Sequence, residues 1–160
     1  MAVLLDICAY AFLAIATVWL AFKDIKERRV PNPAIAVLLG AWTCWKIAAA
    51  AMDFEFATEI AAQSSFDLLA ASAVFVLLFA FGCLYERARK KPSMGMGDIK
   101  LIAVLALFIG IRGVGICLLI ACLVGLVYAI ADVVRRNPVS NGIPFAACLS
   151  CGLFVTFLLF

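Results

Sequence analysis

The chain has 160 residues, of which 68% are hydrophobic and 14% are charged, and its net charge is +3. Soluble domains carry about 45–50% apolar and about 25% charged residues, so this composition excludes an ordinary soluble domain and indicates an integral membrane protein. The chain has no histidine, which excludes Ser-His-Asp and Cys-His catalytic groups and histidine-liganded metal sites.

Six apolar segments, separated by the polar clusters of the chain, are candidates for membrane-spanning helices. They cover residues 3–22, 34–52, 66–85, 99–111, 113–134 and 143–160. A helix needs roughly 20 apolar residues to cross a bilayer, and the fourth segment is short, with about 13. We predict one domain, residues 1–160, built as an all-α polytopic bundle of about six transmembrane helices.

Most basic residues fall into three loops, which follow the first segment, precede the fourth and follow the fifth. They are Lys23, Lys26, Arg28 and Arg29; Arg87, Arg89, Lys90, Lys91 and Lys100; and Arg135 and Arg136. The positive-inside rule predicts that these loops are cytoplasmic and that both termini lie on the other side. The first segment is interpreted as a membrane anchor. The positive net charge is explained by the basic residues of the cytoplasmic loops, so no nucleic-acid partner is predicted.

The seven cysteines lie almost entirely within the apolar segments. An odd number of thiols inside predicted spans argues against a disulfide framework and favours packing roles. Cys148-x-x-Cys151 has a spacing typical of redox or metal sites, but it has no second pair, so it too is interpreted as packing. No metal and no cofactor is predicted.

Two aspartates stand at the predicted cytoplasmic edge of the bundle. Asp24 follows the first apolar segment, and Asp98 directly precedes the fourth. Two carboxylates that meet at such an edge share a proton, because repulsion between like charges leaves one group protonated and the other ionised. The ionised group can take a proton from water while the protonated one polarises a peptide carbonyl, as in aspartic proteases.

The glycines beside Asp98 leave two interpretations open. Gly95 and Gly97 lack a Cβ, so another backbone, such as that of an extended substrate, can approach Asp98 closely. Alternatively, Asp98 stabilises the first turn of a helix and the glycines form only a turn. The spacing alone does not decide between a catalytic and a helix-capping aspartate.

Other polar residues near the aspartates also have more than one possible role. Lys100 can favour an ionised carboxylate nearby, but we expect it to reach towards the membrane interface. Arg28 and Arg29 can pair with Asp24 or anchor the membrane edge. Prolines 31 and 144 fit the starts of the second and sixth helices, where Asn32 and Asn141 can bond exposed backbone groups.

Three motifs of this chain resemble those of the prepilin peptidases, specifically the short membrane aspartic peptidases of the bacterial Tad/Flp type. Residues 24–32 (DIKERRVPN) resemble the first-aspartate motif, residues 95–101 (GMGDIKL) the second, and residues 142–145 (GIPF) the motif that opens the last helix. The resemblance implies that Asp24 and Asp98 are catalytic. It implies supporting or substrate-binding roles for Gly95, Gly97, Lys100, Arg28, Arg29, Pro31, Asn32 and Pro144.

The resemblance also implies a substrate and a location. The expected substrate is a type IV, Flp-like prepilin, whose basic leader is cut, often just after a glycine, at the cytoplasmic face of the bacterial inner membrane. Larger family members methylate the new N-terminus and carry an extra loop with paired C-x-x-C motifs after the first span. Here Phe22 leads to Pro31 within nine residues, so methylation is not expected.

Two other functions are alternatives. One is a presenilin-like protease that cuts within a spanning helix. The other is a small proton-coupled transporter whose acidic residues carry ions. The aspartates lie at the predicted membrane edge and not at its middle, and no inverted repeat is visible, which disfavours the transporter.

Overall fold

A computed structural model describes residues 2–27, 30–52, 54–90, 95–134 and 145–159, and these residues contain helices and no strand. The helices are α1 (Ala2–Glu27), α2 (Asn32–Met52), α3 (Ala57–Arg89), α4 (Met96–Val134) and α5 (Phe145–Leu159), with a 3-10 turn at Phe54–Phe56. Helices α1 to α4 are long and apolar enough to cross a membrane. The prediction of an all-α membrane protein is therefore confirmed for the described residues.

Helix α4 is interrupted at Gly110, where φ is 68° and ψ is 176°. Glycine adopts positive φ without steric cost, so one helix ends here and another begins; we call them α4a (residues 96–109) and α4b (residues 111–134). Gly113 lines a cavity with Ile7 near the start of α1, whereas Gly125 lies beside Cys148 near the start of α5. Helix α4b therefore runs away from the amino end of α1, towards the end of the bundle where α5 begins.

The break at Gly110 falls close to the boundary between the fourth and fifth predicted segments, residues 99–111 and 113–134. Separate helices before and after it agree with that boundary. The six membrane crossings and the placement of both termini outside the cytoplasm stay predictions.

Helix α4a forms the centre of the bundle. Nearly all of its side chains from Ile99 to Phe108 are buried, and Ile102, Leu105 and Ala106 are fully enclosed. About 14 residues rise only about 21 Å, less than the roughly 30 Å of a hydrocarbon core. Because other helices and not lipid surround α4a, its shortness does not expose polar backbone to the bilayer.

Trp42 of α2 fixes the far end of α4a. Its Nε1–H donates a hydrogen bond of 2.9 Å to the carbonyl oxygen of Leu107, and the contact is buried. The last four carbonyls of a helix have no partner within the helix, and the bilayer interior offers no water to replace one. The indole therefore bonds a carbonyl that has no partner within the helix because of the break at Gly110.

Helices α1 and α3 extend past their predicted segments. The apolar pattern placed them at residues 3–22 and 66–85, but the helices continue to Glu27 and from Ala57 to Arg89. Helical hydrogen bonds do not require apolar side chains, so a helix continues beyond the stretch that fits hydrocarbon. As a result, Asp24 lies in the last turn of α1 and not in a loop.

The packing of α5 against α4b gives the first testable prediction. A Cβ at Gly152 would overlap the backbone carbonyl of Cys117. We expect Gly152→Ala to force the two helices apart and to lower the free energy of unfolding by about 1–3 kcal/mol. Thermal unfolding in detergent measures the loss.

Gly115→Ala is the matched control, because a Cβ at Gly115 of α4b meets nothing within 4 Å. Its melting temperature should equal that of the wild type or exceed it slightly, since alanine favours helix. An unchanged melting temperature for Gly152→Ala would contradict the close approach of α5 and α4b.

Candidate active site

Asp24 lies in the last turn of α1, buried against the start of α5. Asp24 is only 7% exposed, and its Oδ2 accepts a hydrogen bond of 3.0 Å from the backbone N–H of Ala146. Ala146 is the second residue of α5, and the first N–H groups of a helix have no partner within it. The carboxylate therefore satisfies a free donor at the positive end of the α5 dipole.

Asp98 lies in the first turn of α4a and is half-buried. Its N–H donates a 3.0 Å hydrogen bond to the carbonyl oxygen of Gly95, and the N–H of Ile99 donates to the same oxygen at 3.3 Å. A Cβ built on Gly95 would lie 3.1 Å from Asp98 Oδ2. The turn at Gly95 is therefore present, and the choice between a catalytic and a helix-capping Asp98 stays open.

The structure brings these two predicted residues to the same end of the bundle. The carboxylates of Asp24 and Asp98 are close enough to interact electrostatically. Helix α5, whose start bonds Asp24, packs against both α1 and α4. Two acids about 70 positions apart along the chain thus form one candidate site, as the sequence predicts.

Gly97 lets the start of α4a approach the segment between α1 and α2. A Cβ at Gly97 would lie 2.9 Å from Val30 Cβ and 3.4 Å from the Val30 carbonyl oxygen. Real Cβ atoms almost never approach a neighbour at 2.9 Å. The absence of a side chain at Gly97 therefore sets how closely the turn that carries Asp98 lies to the end of α1.

Lys100 connects α4a to the start of α2. Its Nζ donates a hydrogen bond of 3.2 Å to Asn32 Oδ1, a contact that neither alternative for Lys100 predicts. The predicted capping by Asn32 is not observed, since the Ala34 N–H instead donates to the carbonyl oxygen of Pro31 at 3.1 Å. Pro31 directly precedes α2, in agreement with its predicted place at a helix start.

Three predicted site residues lie outside the described residues. They are Arg28, Arg29 and Pro144; Asn141 and Gly142 of the last motif also lie outside. Their predicted roles stay predictions.

Two contributors to the site, Ala146 and Val30, are not predicted by the sequence. Ala146 acts through its backbone N–H and Val30 through its volume, and neither property has a characteristic side-chain pattern. The helix start predicted at Pro144 does imply unpaired N–H groups just after it. No sequence signal indicates that Asp24 is the group that meets one of them.

A second polar cluster lies at the opposite end of the bundle. Trp45 Nε1 donates to Asp6 Oδ1 at 3.0 Å, and Lys46 Nζ pairs with Asp67 Oδ2 at 3.1 Å. These side chains line a cavity of about 430 Å³ beside Gly110. Because each carboxylate has a partner on a neighbouring helix, the cluster ties α1, α2 and α3 together.

Comparison with known proteins agrees with the motifs around Asp24 and Asp98. A sequence profile of the type IV leader peptidase family matches residues 11–130, which is three quarters of the chain. The chain belongs to this family. The resemblance to prepilin peptidases is thereby confirmed, and both aspartates lie within the matched region, whereas α5 lies beyond it.

Two proteins of Aeromonas salmonicida, one of them from strain A449, are relatives of this chain. Each is named a prepilin leader peptidase/N-methyltransferase. Each is 30% identical over 92 residues, which is 57% of this chain and 32% of the relative. The match thus spans about a third of the length of these relatives. No solved structure gives a significant match.

The contact between Gly97 and Val30 gives the second prediction. Gly97→Ala overpacks this contact, and we expect it to lower the free energy of unfolding by about 1–3 kcal/mol. In the double variant Gly97→Ala/Val30→Gly the side chain that the new methyl group would overlap is absent, so part of the loss should be recovered. A double-mutant cycle measures this coupling.

Gly40→Ala in α2 is the control, since a Cβ at Gly40 meets nothing within 4 Å. Alone it should be as stable as the wild type, and added to Val30→Gly it should leave the stability of that variant unchanged. Strictly additive effects of Gly97→Ala and Val30→Gly would contradict the direct contact.

Proposed function

We propose that the protein is an aspartic endopeptidase of the bacterial inner membrane that removes the basic leader of type IV, Flp-like prepilins. The observation that carries this proposal is the meeting of Asp24 and Asp98, from α1 and α4a, at one end of the bundle. Membership of the type IV leader peptidase family supports the leader as substrate. The names of the relatives support a prepilin as its source.

The chemistry follows from two carboxylates that share one proton. Repulsion between like charges allows only one of them to ionise readily. The ionised group removes a proton from water while the protonated group donates to the substrate carbonyl oxygen, so water is activated and the peptide bond polarised together. Burial of Asp24 places this chemistry where charges interact more strongly than in bulk water.

The location of the two aspartates supports cleavage at the membrane edge. Asp24 lies in the last turn of α1, and Asp98 lies in the first turn of α4a. The same end of the bundle carries basic residues at the ends of α1 and α3, namely Lys23, Lys26, Arg87 and Arg89. The positive-inside rule makes this end cytoplasmic, so the leader is cut on the cytoplasmic side.

We propose that an extended substrate approaches the site at Gly95. Gly95 is exposed and carries no side chain directly beside Asp98. A backbone can therefore approach the carboxylate at that position. Since both aspartates lie at helix ends, the geometry favours the junction between the leader and the apolar helix of the prepilin over a bond within that helix.

The third prediction concerns the two carboxylates. Asp24→Asn and Asp98→Asn each remove a group that transfers protons, and we expect each to lower the cleavage rate by about 10²–10⁴-fold. The assay uses full-length protein in detergent with a Flp-like prepilin, and gel electrophoresis and mass spectrometry identify the product. Full activity of either variant would contradict the proposal, as would cleavage inside the apolar helix.

Asp6→Asn is the matched control for these substitutions. Asp6 lies on the same helix as Asp24, at the opposite end of the bundle, and its Oδ1 accepts the bond from Trp45. An asparagine oxygen can accept the same hydrogen bond. This variant should cleave at the wild-type rate, which would show that the loss in Asp24→Asn is specific to the site.

We further propose that the protein does not methylate its product. Helix α1 ends at Glu27 and α2 begins at Asn32, which leaves only a short connection where larger family members carry the C-x-x-C loop. In the fourth prediction, pilin released in the presence of S-adenosylmethionine keeps a free N-terminus by mass spectrometry. A methylated N-terminus formed by the purified protein would contradict it.

A further inference from the structure

The two aspartates of the proposed site differ in their surroundings. Asp24 is buried and accepts the N–H of Ala146 at 3.0 Å. Asp98 is half-buried, and among the described residues no other helix donates a hydrogen bond to its carboxylate. The pair is therefore asymmetric before any substrate binds.

We propose that the amino end of α5 holds Asp24 in its ionised form, so that Asp24 is the general base and Asp98 the general acid. This inference rests on the proposed peptidase function and assigns the separate roles within it. Ala146 is a positioning residue here, since it acts through Asp24 and does not touch the substrate.

Two physical effects favour the anion at Asp24. A backbone N–H bonds a carboxylate more strongly than a neutral carboxyl group, and the positive end of a helix dipole stabilises a negative charge. The dipole of α4a acts on Asp98 as well. However, the first of two neighbouring carboxylates to ionise makes ionisation of the second unfavourable. The direct bond gives Asp24 the preference, and Asp98 keeps the proton.

The assigned roles account for every proton in the hydrolysis. Asp24 takes a proton from water as the water oxygen bonds to the carbonyl carbon, and Asp98 gives its proton to the carbonyl oxygen, which yields a diol. Asp24 then protonates the amide nitrogen while one diol hydroxyl returns a proton to Asp98, and the C–N bond breaks. Both aspartates recover their starting forms.

Two titratable groups on neighbouring helices interact with Asp24. They are Asp98 on α4a and the thiol of Cys148 on α5. Cys148 is buried and, as a thiol, is uncharged under the acidic conditions where a carboxyl group gains its proton. A change in the acidic part of the pH profile therefore reports on the two aspartates.

The test removes the donor at residue 146. Ala146→Pro deletes the N–H, and a helix tolerates proline in its first turn because no intrahelical bond is lost there. Without the donor, the Asp24 anion loses the hydrogen bond that stabilises it. The acidic limb of kcat/KM for prepilin cleavage should move to higher pH by about one unit, while the alkaline limb stays in place.

Ala147→Pro is the matched control. It removes the N–H of the next residue in the same turn, and no described side chain accepts a hydrogen bond from that N–H. Its pH profile should therefore match that of the wild type. A second form of the test replaces Ala146 with lactic acid, which exchanges the N–H for an ester oxygen without adding a ring. This variant should show the same shift even if the proline variant does not fold.

Three outcomes would overturn the inference. If only the alkaline limb moves, Asp24 is the acid and the roles are reversed. If activity falls with both limbs unmoved, the N–H has only a structural role. If Ala147→Pro gives the same shift as Ala146→Pro, the effect is not specific to this bond. Failure of the proposed function is distinct from all three, because the wild type itself would then not cleave prepilin.

Discussion

The arrangement of the bundle depends on how a buried carboxylate is satisfied. Asp24 is 7% exposed, and a buried charge is unfavourable unless it is paired or hydrogen-bonded. The amino end of α5 supplies the bond, and an unpaired N–H of that helix is satisfied at the same time. The bond ties the end of α1 to the start of α5, and α5 also packs against α4.

Small residues then determine where the second carboxylate lies. The missing side chain at Gly97 allows α4a to approach Val30, and the positive φ of Gly110 ends α4a before it reaches the length of a membrane span. Trp42 satisfies a carbonyl left over by that break. Asp98 is therefore carried by a short helix held on all sides by other helices, which suits a group that must meet a partner from α1.

Much of this could be predicted from the sequence, and the remainder has identifiable causes. Apolar segments and motif spacing predict the helices, the boundary near Gly110 and the placement of Asp24 and Asp98 at one end of the bundle. Helix ends were misplaced, because hydropathy reports fit to hydrocarbon and not where hydrogen bonding stops. The contacts of Ala146 and Lys100 were not predicted, since a backbone donor has no side-chain signal and a pair such as Lys100 and Asn32 forms only through the tertiary fold.

Cross-linking in native membranes tests most directly whether positions 24 and 98 meet at one end of the bundle. In a variant whose seven native cysteines are replaced, cysteines at positions 24 and 98 should be joined by a short bifunctional thiol reagent. Cysteines at positions 6 and 98, at opposite ends, should not be joined. Failure to link 24 with 98, or equal linking of both pairs, would contradict the account.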